Sequence, residues 1–236
     1  MHGLAVQTRA NLTSPHVHEV PVWQRGRWKS SASPSRMLTN VMQPQIFLLS
    51  PAHLGGKRAQ ILLRDEAKFD LATRVRSDGG APVGEIFAFL SGLYFRGKIT
   101  YAAAFARAPA GIAGAYVITS NRGLVTVDTR LDKRALLELG AVDIDARDAR
   151  YHEPLTRDAK ALAKRLNGAS VVLLGSLASP KYLAVLTSIF GERLHYPRDF
   201  VGLGDMSRGS QLLKAARAGV ELPYAPVSGL APPRSR

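Results

Sequence analysis

The stretch Ile46-Phe47-Leu48-Leu49-Ser50-Pro51 places four apolar residues directly before a serine and a proline. A short apolar run that stops at turn residues is typical of a buried strand. Further strand candidates follow at residues 115–119, 170–174 and 193–196. Stretches with helical periodicity separate them, near residues 82–94, 99–106, 131–139, 155–167, 180–190 and 206–218, and residues 58–76 are partly helical.

Strands that alternate with helices predict an α/β fold with parallel pairing. We therefore expect a three-layer helix–sheet–helix arrangement around a mainly parallel sheet of about four strands. Residues 42–224 are predicted to form this single domain, and the Pro-rich residues 225–236 a disordered tail. Residues 1–41 are predicted to be a disordered basic extension, because prolines and serines interrupt every apolar stretch in them.

Three interpretations of residues 1–41 stay open. The segment has the composition of a basic arm that binds nucleic acid, and its arginines and serines also resemble a transit peptide. It is equally what translation from a start codon placed too far upstream would add, since Met37 and Met42 directly precede the first strand. A secretory signal is not expected, because no apolar stretch follows a basic start.

The composition of the 236 residues excludes several classes of protein. Without cysteine the chain forms no disulfide, thiolate metal site or iron–sulfur cluster. No apolar run approaches the roughly 18 residues of a spanning helix, so we expect no membrane partner and a cytoplasmic protein. The net charge of +14 favours polyanions as partners. Residues 1–41 carry +4 of it and residues 225–236 carry +2, which leaves +8 on the predicted domain.

Candidate binding residues follow the predicted strands, because ligands of parallel sheets bind at the carboxyl ends of the strands. After the first strand, Ser50 precedes a turn with paired glycines that ends in Lys57 and Arg58, which are suited to neutralise a phosphate. A turn followed by a solvated basic face explains the same residues without a ligand. After the second strand come Ser120, Asn121 and Arg122.

Two further segments complete the candidate phosphate or nucleic-acid site. The third strand leads to Ser179, Lys181 and Tyr182, at the start of a predicted helix whose free amides would hold an anion. The final helix begins near Gly204, Asp205 and Arg208. Ordinary helix capping by Ser179 and Asp205 is an equally valid interpretation.

The sequence assigns no catalytic residue. It has no paired-carboxylate motif, no His-x-x-x-His pair and no Gly-x-Ser-x-Gly turn. The predicted domain contains His53, His152 and His195, which are far apart along the chain. We therefore predict no metal site and no cofactor.

Taken together, the strand-end segments resemble the peroxide-stress protein YaaA family. Ser50-Pro51-Ala52 resembles that family's opening Ser-Pro-Ala turn, and residues 120–125 resemble its Tyr-Gly-Leu-Leu segment with Arg122 in place of the tyrosine. Residues 177–182 are similar to its Leu-Ala-Ser-x-Glu-Tyr stretch with Lys181 in place of the acid. Residues 204–208 are similar to its Arg-Gly-x-Met-x-Arg helix start with Leu203 in place of the first arginine.

The final segment, Phe200 through Leu213, also resembles the Phe-Phe-Gly segment and leucine-ended helix of uracil-DNA glycosylases. The resemblance implies a related α/β fold. The catalytic turns of those enzymes are not recognisable, because Pro51-Ala52-His53 lacks the aspartate and Tyr196-Pro197-Arg198 replaces His-Pro-Ser. The likeness therefore bears on the fold and leaves the reaction open.

Three hypotheses of function follow. The first is a nucleic-acid-binding protein of the YaaA-like class, which the resemblance links to the oxidative-stress response. The second is an enzyme acting on a nucleobase, nucleoside or nucleotide in the same cleft, with Tyr94, Tyr182 or Phe200 stacking on the base. The third is a scaffold whose loops only cap helices. Nothing in the sequence predicts the oligomeric state.

Overall fold

A computed structural model describes residues 43–177 and 180–229. The predicted extension at residues 1–41, Ser179 and the last residues of the predicted tail lie outside the described residues. Within the described part, no helix combines the length and apolar character that crossing a membrane requires.

The described residues form an α/β fold around a mainly parallel sheet. The strands are β1 Gln45–Leu49, β2 Ala81–Pro82, β3 Ala115–Ile118, β4 Leu124–Thr126, β5 Arg130–Leu131, β6 Ser170–Leu174, β7 Leu194–Pro197 and β8 Tyr224–Pro226. The main sheet has six strands in the order β4-β3-β1-β6-β7-β8, and β2 and β5 form a separate antiparallel pair.

The prediction of parallel pairing is confirmed for all four predicted strands. β1 lies between β3 and β6, and β6 continues to β7, all in parallel. The number of strands was underestimated, because β4 and β8 add short antiparallel edges. Each edge strand has three residues, too few for an alternation of apolar and polar residues to become visible in sequence.

The domain boundary predicted at residue 224 falls within β8. Pro226 lies in this strand at the edge of the sheet, where a missing N–H is tolerated. The Tyr224 hydroxyl is 2.7 Å from the hydroxyl of Tyr101 in the core. The Pro-rich composition that indicated a disordered tail is therefore also compatible with an edge strand.

Eight helices are described: α1 Lys57–Leu63, α2 Asp70–Arg76, α3 Val83–Ser91, α4 Leu93–Phe105, α5 Lys133–Gly140, α6 Ala149–Arg165, α7 Pro180–Phe190 and α8 Asp205–Ala218. The predicted helix at 82–94 instead ends at Gly92, whose positive φ of 65° breaks it from α4. α6 begins well before residue 155, because the Asp148 carboxylate accepts the Arg150 N–H and caps the helix upstream of Pro154.

The sheet is buried on both faces, as a three-layer arrangement requires. Along β1, Phe47 and Leu49 belong to the core on one face, while Ile46 and Leu48 belong to the core on the other. The first core contains side chains from α1 to α5 and from α8, and the second contains side chains from α6 and α7. This alternation follows from the two-residue period of side chains in a strand.

Helices α4 and α8 pack against each other through two glycines. A Cβ added at Gly97 would lie 2.8 Å from the carbonyl oxygen of Gly209, and one added at Gly209 would lie 2.8 Å from Tyr94 Cα. The backbones therefore approach as closely as glycine allows. This contact holds α4, which carries Lys98, against α8, which carries Arg208.

Candidate functional site

The largest group of candidate residues lies at the carboxyl ends of β1 and β6. Ser50 follows β1 and Ser176 follows β6, and the two are neighbours because these strands pair in parallel. The Ser50 N–H still donates to Leu174 O at 3.1 Å, and Pro51 then turns the chain out of the sheet. A cavity of about 550 Å³ opens at this edge, within the range that suits a small ligand.

The inner wall of this cavity contains a buried lysine. Lys98 is 1% exposed, and its Nζ donates to the Ser50 carbonyl oxygen at 3.0 Å and lies 2.7 Å from Ser50 Oγ. The same Nζ lies 4.0 Å from the centre of the Tyr94 ring. Burial lowers the pKa of Lys98 to about 7, while the charge of Asp205 acts in the opposite direction. An amine in this position is therefore readily neutral at physiological pH.

Two tyrosines form another part of the wall. Tyr182 is buried, and its hydroxyl donates to Ser176 O at 2.6 Å. Burial raises the pKa of Tyr182 to about 12 and also raises the pKa of Tyr94, so both phenols stay protonated at neutral pH. A Cβ added at Gly175 would lie 2.9 Å from both Ser50 Cβ and the Tyr182 oxygen, so glycine is needed for this close packing.

Exposed cations lie along the rim. Lys57 and Arg58 occupy the first turn of α1, and Lys181 lies at the start of α7. Arg58 also donates from Nη1 to Phe89 O at 3.2 Å, which directs its side chain along α3. Asp205 at the start of α8 is the single acid among the described residues that line the cavity, and its side chain is 68% exposed.

A second cavity of about 380 Å³ adjoins the first. The two share the backbone turn Pro51–His53 together with Ile144 and Lys181 as lining residues. Ser120 lines this second cavity, but its Oγ donates to Leu139 O at 2.5 Å and so satisfies the end of α5. Together, the two cavities extend the site along the carboxyl ends of the strands.

The structure brings together half of the predicted binding residues. The main cavity is lined by six of them: Ser50, Lys57, Arg58, Lys181, Tyr182 and Asp205. Gly204 is the exposed residue before α8 and is not among the lining residues, and Ser179 lies outside the described residues. Ser50 and Asp205 line the main cavity, while Ser120 lines the adjoining one.

Three predicted residues make contacts within the fold instead. Asn121 donates from Nδ2 to Glu138 O at 2.9 Å, and Arg122 forms an ion pair of 2.9 Å with the Glu138 carboxylate. Arg208 is 7% exposed, and its Nε donates to Phe200 O at 3.2 Å. Glu138 lies 16 residues after Arg122, and Phe200 lies eight residues before Arg208.

Sequence reasoning missed Lys98, although its position carries a signal. Tyr94, Tyr101, Ala102 and Phe105 form the buried face of α4, and Lys98 is the charged residue that falls on this face. A lysine at an apolar position of a helix is seldom fully buried unless it is paired. A search for charges that interrupt an apolar stripe would have identified it.

The residues that the structure describes do not assemble a metal centre. Among the described residues, no cluster of three or more histidines, aspartates or glutamates has the arrangement needed to hold a metal ion.

Comparison of the chain with protein-family models, with curated proteins and with solved structures gave no match in any of the three.

Proposed function

We propose that this protein binds nucleic acid through the cavity at the carboxyl ends of β1 and β6. The observation that carries the proposal is the charge of its lining. Lys57, Arg58 and Lys181 lie along its rim, against the single carboxylate of Asp205 among the described residues that line it. Clustered cations at a sheet edge attract phosphates and release their counterions.

The dimensions of the site favour a single strand over a duplex. A cavity of about 550 Å³ accommodates one nucleotide, and a stacked base pair would not enter it. Tyr94 and Tyr182 are the aromatic residues of the lining, and stacking of an unpaired base on either would require these buried rings to become exposed. The adjoining cavity of about 380 Å³ extends the same path past Lys181 for a neighbouring nucleotide.

The proposal includes the finer expectations from sequence. These are a YaaA-like protein with a sheet of the uracil-DNA-glycosylase type, a connection to the oxidative-stress response and a cytoplasmic location. The resemblance of the strand-end segments supports the first two, and the cytoplasmic location stays an expectation from the sequence. The α/β class and the mainly parallel sheet are compatible with them.

Salt-dependent binding of single-stranded DNA tests the proposal. For the full chain, the logarithm of the affinity for a fluorescent oligonucleotide should fall linearly with the logarithm of the salt concentration. Lys57→Gln and Lys181→Gln should each weaken binding by about fivefold at low salt and reduce the slope by about 0.7, the contribution of one phosphate contact. Fluorescence anisotropy at several salt concentrations provides both quantities.

The matched control is Lys164→Gln. Lys164 is exposed near the end of α6. This end of the helix leads to the start of β6, whereas the cavity lies at the carboxyl ends of the strands. This variant removes the same charge and should leave affinity and slope unchanged. Equal losses in all three variants would mean that only net charge matters, and absence of binding at 50 mM salt would refute the proposal.

An enzyme acting on a nucleobase, nucleoside or nucleotide is the second candidate. A glycosylase-like mechanism based on a buried carboxylate is not supported, because Asp205 is the single acid among the described lining residues and its side chain is 68% exposed. The contact between Ser50 and Lys98 favours a different chemistry in the same cleft.

A further inference from the structure

Ser50 and Lys98 form a hydroxyl–amine pair at the wall of the cavity. Lys98 Nζ lies 2.7 Å from Ser50 Oγ, and both residues contribute to the lining. This separation is that of a hydrogen bond through which a proton can pass. Ser50 lies at the end of a buried strand and Lys98 on a buried helix, so the backbone of both residues is fixed.

The surroundings of Lys98 favour its neutral form. Among the described residues, none forms an ion pair with its Nζ, which instead faces Ser50 and the Tyr94 ring. Burial lowers its pKa to about 7, and the nearby Arg208 adds to this effect. A lysine of this kind has a free electron pair in a large fraction of molecules at neutral pH, as a general base requires.

We propose that Ser50 is a nucleophile activated by Lys98 and that the pair acts on a phosphate ester bound in the cavity. The activation rests on the geometry of the pair. The substrate class rests on the proposed function, because the rim cations Lys57, Arg58 and Lys181 would hold the charged oxygens of such an ester.

The steps balance with water as the second substrate. Lys98 Nζ takes the proton of Ser50 as Oγ forms a bond to phosphorus, and the bond from phosphorus to the leaving oxygen breaks. The leaving alcohol takes that proton from the lysine. A water molecule, deprotonated by Lys98, then attacks the phosphoserine, the Oγ–phosphorus bond breaks, and the proton returns to Ser50.

An alkyl fluorophosphonate tests the pair without any nucleic acid. In this reaction Oγ bonds to phosphorus and fluoride leaves, so intact mass and peptide mapping of the full chain report a stable adduct. We expect the adduct on Ser50, with a labelling rate that falls below about pH 7 as Lys98 becomes protonated. The charged and titratable groups near Lys98 are Asp205 and Arg208 of α8, Tyr94 of its own helix and Tyr182 of α7.

Variants separate a base from a merely structural lysine. Lys98→Met should slow labelling of Ser50 by at least about 100-fold. Lys98→Arg should do the same, because arginine still donates hydrogen bonds but does not release a proton at these pH values. Ser188→Ala is the control, since Ser188 Oγ donates to Val185 O within α7 and no labelling change is expected.

The outcomes distinguish this inference from the proposed function. The proposal that Lys98 activates Ser50 would be overturned if the wild-type chain forms no adduct on Ser50. It would also be overturned if the labelling rate changes neither with pH nor in Lys98→Arg. Both outcomes would hold even if the chain binds an oligonucleotide. An adduct on Ser50 in a chain that binds no oligonucleotide would support the pair and refute the proposed function alone.

Discussion

Methionine in place of Lys98 is expected to stabilise the protein at pH 6 and to lose this advantage by pH 10. In the folded wild-type chain the pKa of Lys98 lies near 7, below its ordinary value of 10.5. Between these values the folded state binds fewer protons than the unfolded state, so the lysine's contribution to stability rises with pH. At pH 6 the folded chain bears the full cost of a buried ammonium.

The magnitude follows from the same two pKa values. The difference in unfolding free energy between Lys98→Met and wild type should fall by about 4 kcal/mol from pH 6 to pH 10. The loss of the hydrogen bonds to Ser50 costs the variant about 1–3 kcal/mol at every pH, which offsets part of the gain at pH 6. Urea unfolding of both chains at several pH values measures the difference.

Lys160→Met is the control for this titration, because Lys160 is exposed on α6. The difference in unfolding free energy between Lys160→Met and wild type should stay constant between pH 6 and pH 10, apart from the small effect of a surface charge. Parallel stability curves for Lys98→Met and wild type would mean that Lys98 titrates as an ordinary lysine. The role of a base at neutral pH would then have no support.

Replacement of Arg208 by methionine should lower the free energy of unfolding by about 2–4 kcal/mol. The Arg208 side chain is 9% exposed, donates to Phe200 O and lies 3.4 Å from the exposed Asp205 carboxylate. Its guanidinium also lies 5.8 Å from the Phe200 ring. Methionine would remove the guanidinium donor, and the carbonyl of Phe200 would keep only the Leu203 N–H at 3.3 Å. Urea unfolding at pH 7 measures this loss.

Arg217→Met on the exposed side of the same helix is the matched control and should change the unfolding free energy by less than about 0.5 kcal/mol. The salt dependence of oligonucleotide binding separates two roles for Arg208. If Arg208 is only structural, its replacement leaves the slope of log affinity against log salt concentration unchanged in the folded variant. If Arg208 contacts a phosphate, the replacement reduces that slope. An unchanged stability together with a reduced slope would contradict the buried role described above.

The sequence was sufficient to predict the parallel centre of the fold. β1 and β6 are continuous apolar runs, as strands covered on both faces must be, and periodic helical stretches separate them. The edges were not predictable in this way. β4 and β8 are stabilised by pairing with one neighbour, so their own sequences carry little information about strand formation.

The candidate site was predictable where the chain leaves a strand. Ser50 and Tyr182 converge because β1 and β6 are neighbours and their carboxyl ends meet. Lys98 belongs to a helix, and its position beside Ser50 depends on the packing of α4 against the sheet and α8. Arg208 is buried against Phe200, which precedes it by eight residues in the turn before α8.

The most direct test of the proposed cleft is to observe its lysines during binding. With lysine side chains labelled by ¹³C at Cε, addition of single-stranded DNA to the full chain should shift the NMR signals of Lys57, Lys98 and Lys181. The signals of Lys160 and Lys164 on α6 should stay in place. Shifts confined to lysines outside the cavity, with those of Lys57, Lys98 and Lys181 unchanged at saturation, would contradict the cleft as the binding site.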